Sequence, residues 1–197
     1  MKKAIIVILS FIWCLFGCKS DHFVPKPRGY YAIEFPKKKY IKFEDNICPY
    51  TFLYPSYGFI NKDTMFFKDR PDHPCWLNIS FPEYNATFHL SYKEITGRNN
   101  LEKLVGDSYK LTFKHSIKAD FIDETYFERK QGNVFGFIYD VGGDAASAVQ
   151  FFATDSVSNF VRGSLYFNCE PNSDSLQPSI DFFRKDIVEL VNSIHWK

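Results

Sequence analysis

The sequence lacks the short motifs that mark common catalytic and nucleotide-binding sites. It contains no HExxH metal motif, no GxSxG nucleophile turn, no P-loop and no GxGxxG dinucleotide fingerprint. Its five histidines, His22, His73, His89, His115 and His195, have no spacing that would aim two of them at one metal ion. We therefore predict a protein without catalytic residues, a metal site or a cofactor.

The chain also lacks an excess of charge of one sign. Its 24 Lys and Arg residues nearly balance 23 Asp and Glu residues, which gives a formal net charge of +1. Such a balance creates no long-range field that would recruit nucleic acid. We expect no nucleic-acid partner.

No apolar run is long enough for a permanent membrane span. The uncharged run from Ala4 to Gly17 contains 14 residues, which is about 21 Å of helix at ~1.5 Å per residue. The hydrocarbon core of a bilayer is about 30 Å thick. Because Lys2 and Lys3 precede the run, its charge and length are typical of an export signal.

The run ends in LFGC, which resembles a bacterial lipobox with Cys18 at its end. We predict that residues 1–17 are a lipoprotein signal peptide and that Cys18 carries lipid. Each CH₂ group of the lipid that is buried in the bilayer contributes about 0.8 kcal/mol to the free energy of membrane binding. Residues 18–31 would be a tether, and residues 32–197 a single periplasmic domain. The alternative is an ordinary secretory signal with a chance cysteine.

Three cysteines follow this signal: Cys48, Cys75 and Cys169. Cys48 and Cys75 each adjoin a proline beside an aromatic-rich strand candidate, so we prefer them as a disulfide pair, although three single pairings are possible. The bridge would stabilise the domain by on the order of 3 kcal/mol. Cys75 could instead be a metal ligand beside His73, or a catalytic thiol with a distant histidine. We prefer the disulfide, because exported proteins fold in oxidising compartments where structural disulfides form.

Short runs rich in aromatic and β-branched residues recur between Pro, Gly, Asn and Asp residues, which is typical of strands. The clearest hairpin is AVQFFATDSVSNFVRGSLYFN, with a five-residue turn at 155–159. In antiparallel register, three pairs of residues lie opposite each other: Thr154 with Phe160, Phe152 with Arg162, and Gln150 with Ser164.

Two segments have the apolar spacing of helices. In NNLEKLVGDSYKL, Asn99 or Asn100 can cap the first helix. In PSIDFFRKDIVELVNSIHWK, Pro178 suits the first helical position. The apolar stripe of this second helix contains Ile180, Phe183, Ile187, Leu190, Val191 and Ile194. We predict a single α+β domain, a mainly antiparallel β-sheet with amphipathic helices packed on it.

The hairpin also carries the predicted partner-binding surface, which consists of Gln150, Arg162, Ser164 and Tyr166 on one face. Arg and Tyr anchor protein interfaces disproportionately. The opposite face is far more apolar and should pack under the helices. The alternative is that a helix covers the polar face too, and that a buried carboxylate such as Asp140 holds Arg162.

The chain resembles the gliding motility lipoprotein GldD family in the order of six segments: PKPRGYYAIEFP, CPYTFLYP, PCWLNISFP, HLSYKEI, FGFIYDVGGDAASAVQFFATDS and FVRGSLYFNCEPNSDSLQPSIDFFRKDIVELVNSIHW. The resemblance runs from the lipobox to Trp196, and its most specific part is Gly136–Phe167. It implies a cell-envelope lipoprotein that is needed for gliding in bacteria that also use type IX secretion. It implies no enzymatic activity or cofactor.

From this resemblance we expect a non-enzymatic adaptor or assembly factor, lipid-anchored at the inner or outer membrane. Its partners would be other gliding motility or type IX secretion proteins. Two alternatives are an envelope module that binds a lipid or glycan, for which the 19% aromatic content is an argument, and an envelope hydrolase.

The implied host group also predicts a covalent modification. Such bacteria are expected to O-glycosylate exported proteins at Asp followed by Ser or Thr and an apolar residue. This pattern occurs at Thr64, Ser156 and Ser175, and the last two lie in predicted exposed turns.

Overall fold

Strands dominate the structure, a computed structural model that describes residues 33–62 and 73–197. The elements in chain order are β1 (Tyr40–Phe43), β2 (Tyr50–Pro55), β3 (Phe59–Lys62), β4 (Leu77–Phe81), β5 (Ala86–Glu94), α1 (Arg98–Phe113), β6 (Ala119–Arg129), β7 (Val134–Gly143), β8 (Val149–Thr154), β9 (Asn159–Phe167), α2 (Ser173–Ser193) and β10 (His195–Trp196). Short 3-10 helices occupy Pro82–Tyr84 and Lys114–Ile117. Residues Glu34–Lys197 form one compact unit.

Seven strands form the main sheet, in the spatial order β3-β4-β5-β9-β8-β7-β6. Every neighbouring pair in it is antiparallel. A second antiparallel sheet has the order β1-β2-β10. The predicted α+β class, with a mainly antiparallel sheet and helices packed on it, is confirmed.

The main core lies between one face of the seven-stranded sheet and α2. Along β4, alternate side chains Leu77, Ile79 and Phe81 are buried, and they belong to the same apolar cluster as Phe183 and Ile187 of α2. Each such side chain contributes about 1.5–3 kcal/mol when it is fully buried. The predicted stripe of α2 therefore faces the sheet, and its buried members are Phe183, Ile187, Leu190, Val191 and Ile194.

A second, smaller core lies on the opposite face of the sheet, under α1. Leu101, Leu104 and Val105 pack against a buried cluster that includes Phe152 and Phe160. Each predicted helix thus covers one face of the main sheet. The apolar side of an amphipathic helix buries the apolar side chains of the sheet face on which it packs.

Both helices begin before the predicted starts, which are a cap at Asn99 or Asn100 for α1 and a first helical position at Pro178 for α2. Gly97 is the N-terminal cap of α1, with a φ of 138° that favours glycine, whereas Asn100 Oδ1 accepts a hydrogen bond from the Thr96 amide at 3.4 Å. Asn172 caps α2, because its Oδ1 accepts from the Ser175 amide at 3.2 Å.

Pro178 therefore lies inside α2 and not at its first position, which corrects the sequence prediction. The polar first turn from Ser173 extends the helix on the N-terminal side of the proline. Pro178 still lies near the helix start, where its missing amide removes only one intrahelical hydrogen bond.

The β8–β9 hairpin has the predicted register. Thr154 faces Phe160, Phe152 faces Arg162, and Gln150 faces Ser164. The apolar face of the hairpin packs in the main core under α2, as predicted, through Val149, Phe151, Ala153, Val161 and Leu165, with Phe167 partly buried beside them.

Candidate functional site

A buried carboxylate on α2 connects this helix to the beginning of the described domain. Asp186 is completely buried, and Lys38 Nζ lies 2.7 Å from its Oδ2. The Tyr40 hydroxyl donates to Oδ1 at 2.8 Å, and the Tyr57 hydroxyl donates to Oδ2 at 2.6 Å. Because a buried charge is tolerated only when it is paired and hydrogen-bonded, these three donors permit a carboxylate here. We call these four residues the Asp186 cluster.

The surroundings of the cluster shift the pKa values of its donors. Lys38 Nζ lies 3.1 Å from the ring centroid of Phe182 and donates to the Phe182 carbonyl at 3.0 Å. Burial lowers the pKa of Lys38, and the hydrogen bond to Asp186 opposes this shift. Burial, followed by the hydrogen bond to Asp186, raises the pKa of both Tyr40 and Tyr57 above the usual range. Both tyrosines are therefore neutral donors at physiological pH.

The sequence analysis did not find the Asp186 cluster. A usable signal exists, because Asp186 lies between Phe183 and Ile187 in the apolar stripe of α2, and a charge on a buried stripe requires a partner. The partners themselves are not readable from the sequence, since Tyr57 is 129 positions away and Tyr40 is 146 positions away.

The predicted bridge between Cys48 and Cys75 is present, with their Cα atoms 5.5 Å apart. Both residues are buried, and the bridge joins the segment before β2 to the segment before β4. The Tyr50 hydroxyl donates to the Cys75 carbonyl at 2.9 Å. In this bridged form Cys75 offers no free thiol for the catalytic or metal-binding alternatives, and Cys169 is free and exposed.

The predicted partner-binding surface is largely covered by α1, which corrects the expectation of an exposed face. Gln150 is 1% exposed and Ser164 is 3% exposed, while Arg162 and Tyr166 are half-buried. The Thr112 hydroxyl of α1 donates to Gln150 Oε1 at 3.2 Å. Strand alternation shows which residues share a face, but it does not show which distant element covers that face.

The carboxylate suggested for Arg162 is also in a different place. Asp140 accepts two hydrogen bonds from Arg184 of α2, at 2.6 Å from Nε and 2.7 Å from Nη2. Asp140 follows Tyr139 on β7, and alternation therefore places it on the α2 side of the sheet, away from Arg162. The proposed Arg162–Asp140 contact is wrong.

The hairpin turn that contains one predicted glycosylation site is built around Asp155. The Asp155 carboxylate accepts from the amides of Val157, Ser158 and Asn159 at 2.8–2.9 Å. Burial would raise the pKa of Asp155, but these hydrogen bonds outweigh burial and lower it. Ser156 is exposed at the tip of this turn.

The other predicted modification sites lie in different surroundings. Ser175 is exposed in the first turn of α2. Thr64 and the predicted lipidation site Cys18 lie outside the residues that the structure describes. Within residues 33–62 and 73–197, no helix has the length and apolar character to cross a bilayer, and no group of three or more His, Cys, Asp and Glu residues is placed to hold a metal ion.

A solvent-open groove of about 500 Å³ lies between β1, β2 and the end of the chain. Its polar lining includes Lys42, Glu44, Ser193, His195 and Lys197. Lys42 and Glu44 pair with each other at 3.1 Å. The groove therefore offers a mixed polar rim and not an enclosed catalytic cleft.

These features define an α+β domain whose antiparallel sheet is covered by one helix on each face. The chain belongs to the family of gliding motility lipoprotein GldD, whose family model matches residues 20–196. The fold is similar to the solution structure of cyanobacterial PsbP (CyanoP) from Synechocystis sp. PCC 6803, with a TM-score of 0.51, over 85% of this chain and 98% of that one. At 11% identity this likeness shows the fold alone. No curated protein matches the chain at a significant level.

Proposed function

We propose that this gliding motility lipoprotein is a non-enzymatic adaptor or assembly factor that links the gliding machinery to type IX secretion. Lipid on Cys18 would anchor it to a membrane, and the domain would lie in the periplasm. Family membership supports the process. The Asp186 cluster is the structural observation that supports an adaptor under mechanical force.

An adaptor on a tether must resist force that arrives through the tether. β1 is a four-residue edge strand that pairs only with β2 in its sheet, so its hydrogen bonds alone would resist little force. The Asp186 cluster adds an ion pair and a hydrogen bond between the segment around β1 and α2, and Tyr57 adds a second hydrogen bond to Asp186 from the turn after β2. Charge-assisted bonds of this kind are about twice as strong as neutral ones. The anchored end of the domain is thus fastened to its central helix.

In-cell crosslinking of the tagged full chain, followed by mass spectrometry, tests the adaptor role. We expect gliding motility or type IX secretion proteins to be enriched from cells that contain the unaltered chain. The matched control is Cys18→Ser at equal cellular level, for which the enrichment should fall. Equal enrichment from both chains, or enrichment of no envelope protein, would contradict the proposal.

A motility assay tests the role of the Asp186 cluster separately. We expect Lys38→Met to reduce gliding, because it removes the ion pair. Lys42→Met should not, because Lys42 is exposed and pairs with Glu44, which is also exposed. Both variants are compared at equal membrane level and equal resistance to protease. If cells with Lys38→Met glide as well as cells with the unaltered chain, the Asp186 cluster is not needed to resist force.

A further inference from the structure

Arg162 is a half-buried cation that has no carboxylate partner among the described residues. It lies on β9, beneath the C-terminal part of α1, and its Nη2 donates to Gln150 Oε1 at 2.5 Å. Its Nε is buried and has no hydrogen-bond acceptor among the described residues. Buried guanidinium groups normally face an anion, because an amide oxygen supplies only partial negative charge.

Two further buried polar atoms, on Gln150 and on Ser108 of α1, lack partners. Gln150 is 1% exposed, and its Oε1 accepts from both Arg162 and Thr112, which leaves its buried Nε2 unpaired. Ser108 is 2% exposed, and its buried Oγ is also unpaired. Polar contacts connect these residues in one path from α1 to β9, since Thr112 Oγ1 lies 3.1 Å from the Ser108 carbonyl oxygen and 3.2 Å from Gln150 Oε1, two acceptors for its one hydroxyl hydrogen.

Three ionisable groups interact electrostatically with Arg162, and none of them is a carboxylate. They are Tyr139 of β7, Tyr166 of β9 and His115 of the 3-10 helix after α1. Burial raises the pKa of Tyr139 to about 12, so this residue is neutral. Burial, and then the positive charge of Arg162, lowers the pKa of His115.

Other partly buried arginines in the described part of the chain have more acceptors. Arg184 is bound by both oxygens of Asp140. Arg129 donates to the backbone carbonyls of Gln131 and Ile194. The Nε of Arg129 is buried and unpaired too, but two backbone carbonyls accept from its other nitrogens. Arg162 differs from both because the described residues give it a single acceptor, Gln150 Oε1, and the Nε2 of that same amide is a second unpaired donor.

We propose that Arg162, Gln150 and Ser108 form a binding site for a small oxyanion, a carboxylate or phosphate group. The three unpaired atoms (guanidinium Nε, amide Nε2 and hydroxyl Oγ) can all donate, and oxyanions accept several such bonds at once. The guanidinium supplies the full positive charge that favours an anion over water.

Occupation of this site would connect α1 to the sheet. Ser108 belongs to α1, Gln150 to β8 and Arg162 to β9, so one anion would bridge three elements. A ligand that binds only the folded state shifts the unfolding equilibrium by a factor of 1 + [L]/Kd, about 100-fold at 100 times the Kd. Bound anion should therefore raise the melting temperature.

Thermal unfolding of the full chain in detergent tests the site. Sodium phosphate, sodium acetate and sodium chloride are compared at equal ionic strength and pH. We expect phosphate or acetate to raise Tm by several degrees relative to chloride. A rise with phosphate alone assigns a tetrahedral oxyanion, a rise with acetate alone assigns a carboxylate, and a rise with both assigns a site for either group.

Two variants show whether the rise comes from this site. Arg162→Gln should abolish it, and Lys114→Gln should keep it, because Lys114 is an exposed cation in the same 3-10 helix as His115. No rise in the unaltered chain, or an equal rise in Arg162→Gln, would overturn the proposal.

A second measurement uses the unaltered chain, so its result does not depend on whether the variants fold. The His115 pKa is followed by NMR in chloride and then in the anion that raises Tm. An anion beside Arg162 offsets the positive charge that lowers the His115 pKa, so we expect this pKa to rise. An unchanged His115 pKa would show that the anion binds elsewhere and would overturn the proposal.

Discussion

The Tyr57 hydroxyl donates a 2.6 Å hydrogen bond to the buried carboxylate of Asp186, although 129 positions separate the two residues. Tyr57 lies in the turn between β2 and β3, and Asp186 lies on α2. The contact therefore joins the turn after β2 to the C-terminal helix.

We predict that Asp186→Asn destabilises the domain by about 2 kcal/mol or more, because hydrogen bonds to charged groups contribute about 1.5–3 kcal/mol and Lys38 loses its counter-ion. Chemical denaturation measures the effect. Asp181→Asn is the control, since Asp181 is exposed on the same helix, and it should change stability by less than about 0.5 kcal/mol. Similar losses for the two variants would contradict the role assigned to Asp186.

The Asp155 turn should make stability depend on pH. The folded-state pKa of Asp155 is lowered, so its ionised form contributes stability above its unfolded-state pKa of about 3.9. This contribution is lost as pH falls through the folded-state pKa. We therefore expect Asp155→Asn to be less stable than the unaltered chain at pH 7, with a difference that shrinks below pH 4. A difference that is constant from pH 7 to pH 3 would refute this origin.

Loss of the Cys48–Cys75 bridge should cost about 2–5 kcal/mol, as is typical for a native disulfide. Cys48→Ala and Cys75→Ala should give similar losses, because either change removes the same bridge. Each variant should also gain one free thiol in intact-mass alkylation without reduction. Three free thiols at Cys48, Cys75 and Cys169 in the unaltered chain would show that the bridge does not form in cells.

The proposed anchor makes Cys18 the lipid-bearing residue. We expect Cys18→Ser to abolish labelling by a fatty-acid probe and to move the protein to a soluble or unprocessed form. Cys169→Ser is the matched control, since Cys169 is exposed and free, and its labelling should be normal. Unchanged labelling of Cys18→Ser would eliminate the lipobox interpretation.

Glycosylation at Thr64, Ser156 and Ser175 is tested by the mass of the protein purified from its native cells. We expect a mass above that of the polypeptide plus lipid, which falls stepwise in Thr64→Ala, Ser156→Ala and Ser175→Ala. Ser158→Ala is a control in the same turn as Ser156, since it lies outside the predicted pattern. A mass equal to the lipidated polypeptide alone would exclude the modification.

Alternation of side chains along β8 and β9 is sufficient to predict their register, because a five-residue turn and a period of two leave one pairing that keeps the apolar residues together. The same alternation cannot identify the cover of each face. Gln150 and Ser164 look like surface residues in the sequence, yet α1 buries them. Their burial depends on which face of the sheet α1, the helix that follows β5, packs against.

The helix boundaries illustrate the same limit on a smaller scale. The apolar stripe correctly predicts α2 and its buried face, but Pro178 is a misleading start signal because Asn172 caps the helix earlier. A cap depends on one hydrogen bond of the flanking chain, and several residues near a helix start can provide it.

The sequence by itself determined the fold class, the family, the hairpin register and the disulfide partners that it preferred, because these depend on local periodicity, on the residues that adjoin each cysteine and on short distinctive segments of this chain. Only the tertiary structure decided the environment of each charge. It placed Lys38, Tyr40 and Tyr57 around Asp186, and it left Arg162 with a neutral acceptor. The physical reason is that burial and pairing of a charge depend on residues far apart in the chain, which only the packed fold brings together.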